Sequence, residues 1–160
     1  MSLINHRRRS ARWHGASQKV GQSAAPLFLD RTDLQIEVTP VPFEKMSDIR
    51  PGEPSVVIRK RVVRARQLQQ ERYAQVPGVY CNAQMNSKLL SLYARPDEHG
   101  LALLKGAMTR LNLSARAYDR ILKVARTIAD LEGSESIQSA HLAEAIGYRS
   151  LDRANYGSAF

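Results

Sequence analysis

Cysteine is nearly missing from this chain of 160 residues, and the single one, Cys81, excludes an intramolecular disulfide and any metal cluster built on cysteines. No histidine lies near it in GVYCNAQM, so the thiol reads as a packed side chain rather than a nucleophile. Long apolar runs are also lacking. None approaches the roughly 18 residues of a membrane span, and the arginines near Met1 are not followed by the apolar segment of a secretory signal. The expectation is a cytoplasmic chain with no membrane partner. There is no G-x-x-x-x-G-K-[S/T] to cradle phosphates, no apolar strand ending in Asp-Glu to hold Mg²⁺, and no assignable Ser/His/Asp or Cys/His set among four histidines. No metal ligands are assigned. Aromatics make up only 6% of residues, and with Ala, Leu, Arg and Gln abundant the balance favours helix. Acid is absent from residues 1–25, which hold five Lys/Arg, whereas the rest sets nineteen Lys/Arg against fifteen acids. The formal charge of +9 is therefore concentrated at one end, and strong basicity of this kind attracts polyanions without specifying one.

Against those absences, 43% hydrophobic content supports a folded core, and one stretch shows its organisation most plainly. In NLSARAYDRILKVARTIADLEG, residues 112–133, Tyr118, Ile121, Ala125, Ile128 and Leu131 recur at three- and four-residue intervals, widened by Leu122, Val124 and Ala129. Ser114 stands at the N-cap and Gly133 where a left-handed residue closes a helix. Asp119 with Lys123 and Arg126 with Asp130 read as surface pairs on the opposite face. Arg116 sits in the first turn, where the helix dipole disfavours a cation. A bound anion would account for it, since helix starts offer N–H groups and arginine adds a fork of donors; a solvated arginine in an arginine-rich chain is the plainer alternative.

Along the chain, residues 1–25 show no sustained period and read as a disordered basic segment, in which Arg7, Arg8 and Arg9 beside Trp13 suggest phosphate contact and base stacking, or simply a basic tail. In PLFLDRTDLQIEVTPVP, Leu34, Ile36 and Val38 alternate with polar residues, the period of a half-buried strand, and Asp30-Arg31 precedes it; locally that arginine reads as half of a salt bridge. A linker with a Pro51-Gly52 turn leads to a helix over 55–74, capped by Ser55, with Ile58, Val62, Ala65 and Tyr73 on one face and Arg59, Lys60, Arg61, Arg64, Arg66 and Arg72 around the rest. Such a helix could contact DNA, with Arg59, Lys60 and Arg64 as candidate contacts, or present a solvated face at an interface. A loop broken by Pro77-Gly78 follows, then a short helix from Asn86 or Ser87 to about Tyr93. The next helix runs from Pro96-Asp97 to Leu111, with a stripe of Leu101, Leu104, Met108 and Leu111, and Asn112 suits a left-handed turn. A last helix spans about 139–151, with His141 in its first turn as a structural residue.

The segments SARAYDRILKVARTIADLEGSE and IQSAHLAEAIGYRSLDR, in that order, resemble the C-terminal helical domain of the magnesium-chelatase-related AAA+ ATPases, the ComM/YifB type in particular, over about residues 26–155. The resemblance implies a mainly α fold: a helical lid domain of four or five helices over 55–155, preceded at 26–54 by a remnant of the AAA+ core with one β-strand. It implies that Arg116 is the sensor-2 arginine, reaching from the lid to the nucleotide phosphates on the preceding α/β domain. PLFLDRTDLQIEV is similar to the family's PLLDRID(L/I)H(I/V)EV, one residue longer at Phe28 and with Thr32 at an apolar position, which implies that Arg31 is an arginine finger aimed at the neighbouring subunit's ATP. The partners implied are the AAA+ core and neighbouring subunits of a hexamer, with DNA as a further partner because the group is associated with branch migration in natural transformation. ATP and Mg would be bound by the parent ATPase, and this chain alone would neither bind nor hydrolyse ATP. Residues 1–25 do not carry the expected end of the core, which suggests a truncated or rearranged gene or an expression fragment. A free-standing basic helical protein that binds DNA non-specifically is the alternative.

Overall fold

A computed structural model describes residues 32–36, 38, 40 and 52–149, and the helical class expected from composition and periodicity is what it shows. Among the described residues five α-helices follow one another: α1 Ser55–Arg72, α2 Ser87–Tyr93, α3 Glu98–Leu111, α4 Ala115–Glu132 and α5 Ser139–Gly147, with a 3₁₀ turn at Asn82–Gln84. The helix starts are set by side chains that accept otherwise orphaned N–H groups. Asn86 accepts from Leu89 N at 3.0 Å, Asp97 from Gly100 N at 2.7 Å and Ser114 from Ala117 N at 3.2 Å. α1 begins differently from expectation. Ser55 is its first helical residue and the cap is Pro54, whose carbonyl accepts from Val57 and Ile58 while no side chain caps the turn. Between α3 and α4, Asn112 takes the left-handed conformation at φ 49°, and Gly133 does so at φ 81° after α4. Helix ends favour such residues because the reversed backbone lets the following N–H groups reach the last carbonyls.

α4 is the centre of the bundle, touching α1, α2, the 3₁₀ turn and α5, while α3 packs on α5. Ala117, Ile121, Leu122, Ala125 and Ala129 form its buried strip, against Met85, Leu90, Leu104, Ile137 and Leu142 from the surrounding elements. Small alanines on α4 allow close approach, and α3 reaches α5 in a similar way. A Cβ on Gly100 would lie 2.6 Å from Leu142 Cδ1, with Leu142 itself fully buried. Fully burying an Ile or Leu side chain contributes about 1.5–3 kcal/mol, so this strip is the main source of stability for the helix.

Four expectations change in the folded chain. Leu131 and Leu101 lie on the solvent side of their helices, and Ile128 is only partly buried. The buried arc of α4 is instead extended towards α1 by Arg126 and Asp130, which are 2% and 1% exposed and so are core residues rather than a surface pair. On α1, Ile58 and Val62 are exposed, because only the C-terminal half of the helix, through Ala65 and Gln69, meets α4. Finally, no strand occurs among the described residues. Leu34, Ile36 and Val38 are exposed, while Gln35 is buried and donates its backbone N–H to the Tyr148 carbonyl at 3.0 Å. An alternating sequence becomes a strand only when a neighbouring strand takes its backbone groups, and here a helix end has taken one of them.

Candidate functional site

Arg116 occupies the second position of α4, two residues beyond the Ser114 cap, and is exposed. The capped start fixes the direction of the backbone N–H groups, and the helix dipole adds positive potential at the same end. Beside this start, α2, α3 and α4 enclose a cavity of about 400 Å³ whose wall includes Ser87, Ser91, Arg95, Tyr118 and Asp119. The floor of that cavity is apolar, formed by Leu90, Ala94 and Leu122. Arg116 is not among the residues lining that cavity; an exposed arginine at a positive helix end is nevertheless of the chemistry that suits an anionic ligand.

Arg31 lies outside the described residues, but the two residues after it are anchored. Asp33 pairs with Arg120 Nε at 3.2 Å, and the Thr32 carbonyl accepts from Arg149 Nη1. Arg120 is one helical turn beyond Arg116 on the same side of α4. The chain that follows Arg31 is thus tied to the side of α4 that carries Arg116. Arg7, Arg8 and Arg9 also lie outside the described residues. Arg59, Lys60 and Arg64 are exposed on α1, and Arg64 approaches the C-terminal end of α4 near Gly133.

A second constellation was not anticipated from the sequence. Asp130 accepts two hydrogen bonds from Arg72, at 2.7 and 2.5 Å, one from Asn82 Nδ2 at 2.8 Å and one from Arg126 Nε at 3.1 Å. Asn82 in turn accepts from Tyr73 Oη at 2.8 Å and Arg72 Nη1 at 3.0 Å, and its own N–H donates to Gln69. Arg126 extends the network by donating to the carbonyls of Glu135 and Ser134 at 2.8 and 2.6 Å. Burial opposes ionisation of Asp130, but the hydrogen bonds from Arg72 and Asn82 and the charges of both arginines outweigh it and hold the carboxyl below its usual range. The hydrogen bond to Asp130 raises Arg72, whereas desolvation lowers Arg126. Burial pushes the Tyr73 hydroxyl up, which keeps it a neutral donor to Asn82. Chemically this is a clamp: it ties α1, the 3₁₀ turn, α4 and the loop into α5 together. Arg72 therefore does not belong to the solvated basic face, and the one sequence signal was the Arg126–Asp130 spacing on a helix apolar on both flanks.

His141 is buried with both ring nitrogens engaged. Nδ1 accepts from Gln138 N at 3.0 Å, which places the proton on Nε2, facing the Glu132 carboxylate. It closes the start of α5 onto the end of α4 and offers no lone pair to a ligand. Among the described residues no group of three or more His, Cys, Asp and Glu converges as a metal site, and no helix is long and apolar enough to cross a membrane.

Residues 52–149 match the family described as magnesium chelatase, subunit ChlI C-terminal. The chain is similar to competence protein ComM of Haemophilus influenzae, with 42% identity over 127 residues that make up 79% of this chain and 24% of ComM. It is similar also to YifB of Escherichia coli and of Salmonella typhimurium, with 39% and 37% identity over the same shares. The chain thus spans about a quarter of the length of these curated relatives. A helical bundle covering the family's matched region, with relatives of this identity, makes the chain a member of the ComM/YifB-type, magnesium chelatase-related family and, within it, a C-terminal module.

Proposed function

We propose that this module is the lid of a ring-forming, cytoplasmic AAA+ ATPase, in which Arg116 senses the nucleotide held by its own subunit and Arg31 acts on the nucleotide of the neighbour. The observation that carries this reading is the placement of Arg116: an exposed arginine at the second position of a helix capped by Ser114, at the end where the helix dipole and the free N–H groups favour an anion. The ATP phosphates and their Mg²⁺ would be held by the core domain, since the sequence has no Walker A or Walker B residues of its own. Arg116 supplies donors to the phosphates and so couples lid position to nucleotide state. Arg31 supplies positive charge as negative charge moves on the transferred phosphoryl group, a contribution worth about 10³–10⁵ in rate. By its similarity to ComM, the assembled ring acts in DNA processing, with branch migration during natural transformation as the specific activity.

The test uses a full-length ring carrying this C-terminal region. Arg31→Ala is expected to abolish hydrolysis with nucleotide binding nearly intact, because a finger acts on transition-state charge. Mixing such subunits with others mutated in the Walker A lysine is then expected to recover activity, since one kind of interface joins an intact site to an intact finger. Mixed rings that form and stay inactive would remove the support for Arg31 as a finger acting between subunits.

A further inference from the structure

We infer that the N-terminal half of α1 is a docking element for an acidic protein partner that grips it from two sides. Every residue from Ser55 to Arg64 is exposed, and the exposed set includes Val56 (64%), Val57, Ile58 (41%), Val62 (43%) and Val63 (46%). At 3.6 residues per turn, Val56 and Val63 share one side of the helix, Ile58 and Val62 share another about 130° away, and Val57 faces a third direction. Both aliphatic pairs therefore lie uncovered on a helix that the bundle holds only by its other end, through Ala65, Gln69 and the Arg72–Asp130 clamp. Arg59, Lys60, Arg64 and Arg66 are set between these aliphatics; Arg61 is already paired with Glu53 just before the helix, at 2.6 and 2.9 Å, and α1 itself has no acid before Glu71.

The chemistry of this surface selects among occupants. DNA phosphates would satisfy the cations but leave the β-branched side chains in water, because a duplex offers little beyond thymine methyls for apolar contact. An anionic membrane takes basic helices whose apolar residues are gathered on one face, usually with Trp, Phe or Leu among them. Here the aliphatics point in three directions around the helix. A second copy meeting this one by two-fold symmetry would bring the same cations together. A protein cleft lined by Asp or Glu and by apolar side chains satisfies both components at once, and helix-in-groove binding supplies the contact. This surface is distinct from the Arg116 end of α4, and its role does not depend on nucleotide.

The experiment titrates the full chain with a labelled peptide of about 20 residues, Leu at helical spacing and Glu elsewhere, at about 150 mM salt. Polyglutamate of equal length, duplex DNA and phosphatidylglycerol vesicles serve as competing probes. The peptide is expected to bind at least about tenfold more tightly than polyglutamate. Val56→Gln/Val63→Gln and Ile58→Gln/Val62→Gln are each expected to weaken it about tenfold, with an unchanged unfolding midpoint because these residues are exposed. Equal binding of polyglutamate, a preference for DNA or vesicles, or indifference to either pair of substitutions would overturn the proposal.

Discussion

Asp130 shows how much one side chain can decide. With 1% of its surface exposed it is held by Arg72, Asn82 and Arg126, and removing its charge would leave two arginines facing each other in the interior. Asp130→Asn is therefore expected to cost about 3–5 kcal/mol in urea unfolding at neutral pH, the cost of breaking a buried pair from one side. The pH dependence has a definite sign. Because the folded carboxyl titrates below the unfolded one, its contribution is complete above the ordinary carboxylate range near 4 and is lost as pH falls through the folded value. The gap in stability between wild type and Asp130→Asn should narrow as the solution is acidified below about pH 4, and a gap independent of pH would contradict the assignment. None of this was legible in the sequence beyond a spacing. Arg126 and Asp130 look like any exposed pair four residues apart until α1 and the 3₁₀ turn cover them, and those neighbours are 58 and 48 residues away in the cases of Arg72 and Asn82.

At the scale of elements, α4 was the most readable part because its signals are local: Ser114 at one end, Gly133 at the other and a run of alanines and isoleucine between them. Local rules could not say where the stripe ends, since Leu131 and Ile128 keep helical spacing but Leu131 is exposed and Ile128 only partly buried against the core. Truncations should separate the two cases: Ile121→Ala is expected to cost about 2–5 kcal/mol, whereas Leu131→Ala should stay below about 1 kcal/mol. Equal losses in thermal or urea unfolding would mean that the core is misplaced. Gly100→Ala is a sharper probe of the α3–α5 approach. Its methyl would meet Leu142 and Pro96 at 2.6 and 3.0 Å, so despite alanine's better helix propensity a net loss of about 1–3 kcal/mol is expected. A stabilised variant in the same unfolding measurement would show that the two helices can separate without cost. The start of α1 was misread for a related reason: a helical period announces an apolar face, not whether this chain contains anything to cover it.

For the whole molecule, the bundle built around α4 fixes the helix by its buried strip and by the Asp130 clamp in its last turn, and the proposed role of Arg116 requires its Ser114-capped start to be held in place as well. The capped start itself was visible in advance from Ser114 and the apolar spacing, whereas the role of Arg116 was read only from the family resemblance. The Asp33–Arg120 tether beside it depended on a long-range contact and was not visible. Basic charge elsewhere on the chain carries a separate expectation. Any affinity of the 160-residue chain for DNA should be non-specific, fall steeply with salt and decrease when residues 1–25, with their five Lys/Arg, are deleted. Sequence-selective binding that ignores salt in a filter or anisotropy titration would contradict this. The central claim concerns Arg116, and its most direct measurement is ATP affinity and turnover of a full-length ring bearing Arg116→Ala, beside Arg110→Ala as an exposed control on α3. Loss of a charge-assisted contact to phosphate predicts an affinity about 10- to 150-fold weaker, or an equivalent loss of turnover, for Arg116→Ala alone. Nucleotide affinity and hydrolysis both unchanged in Arg116→Ala would contradict the account.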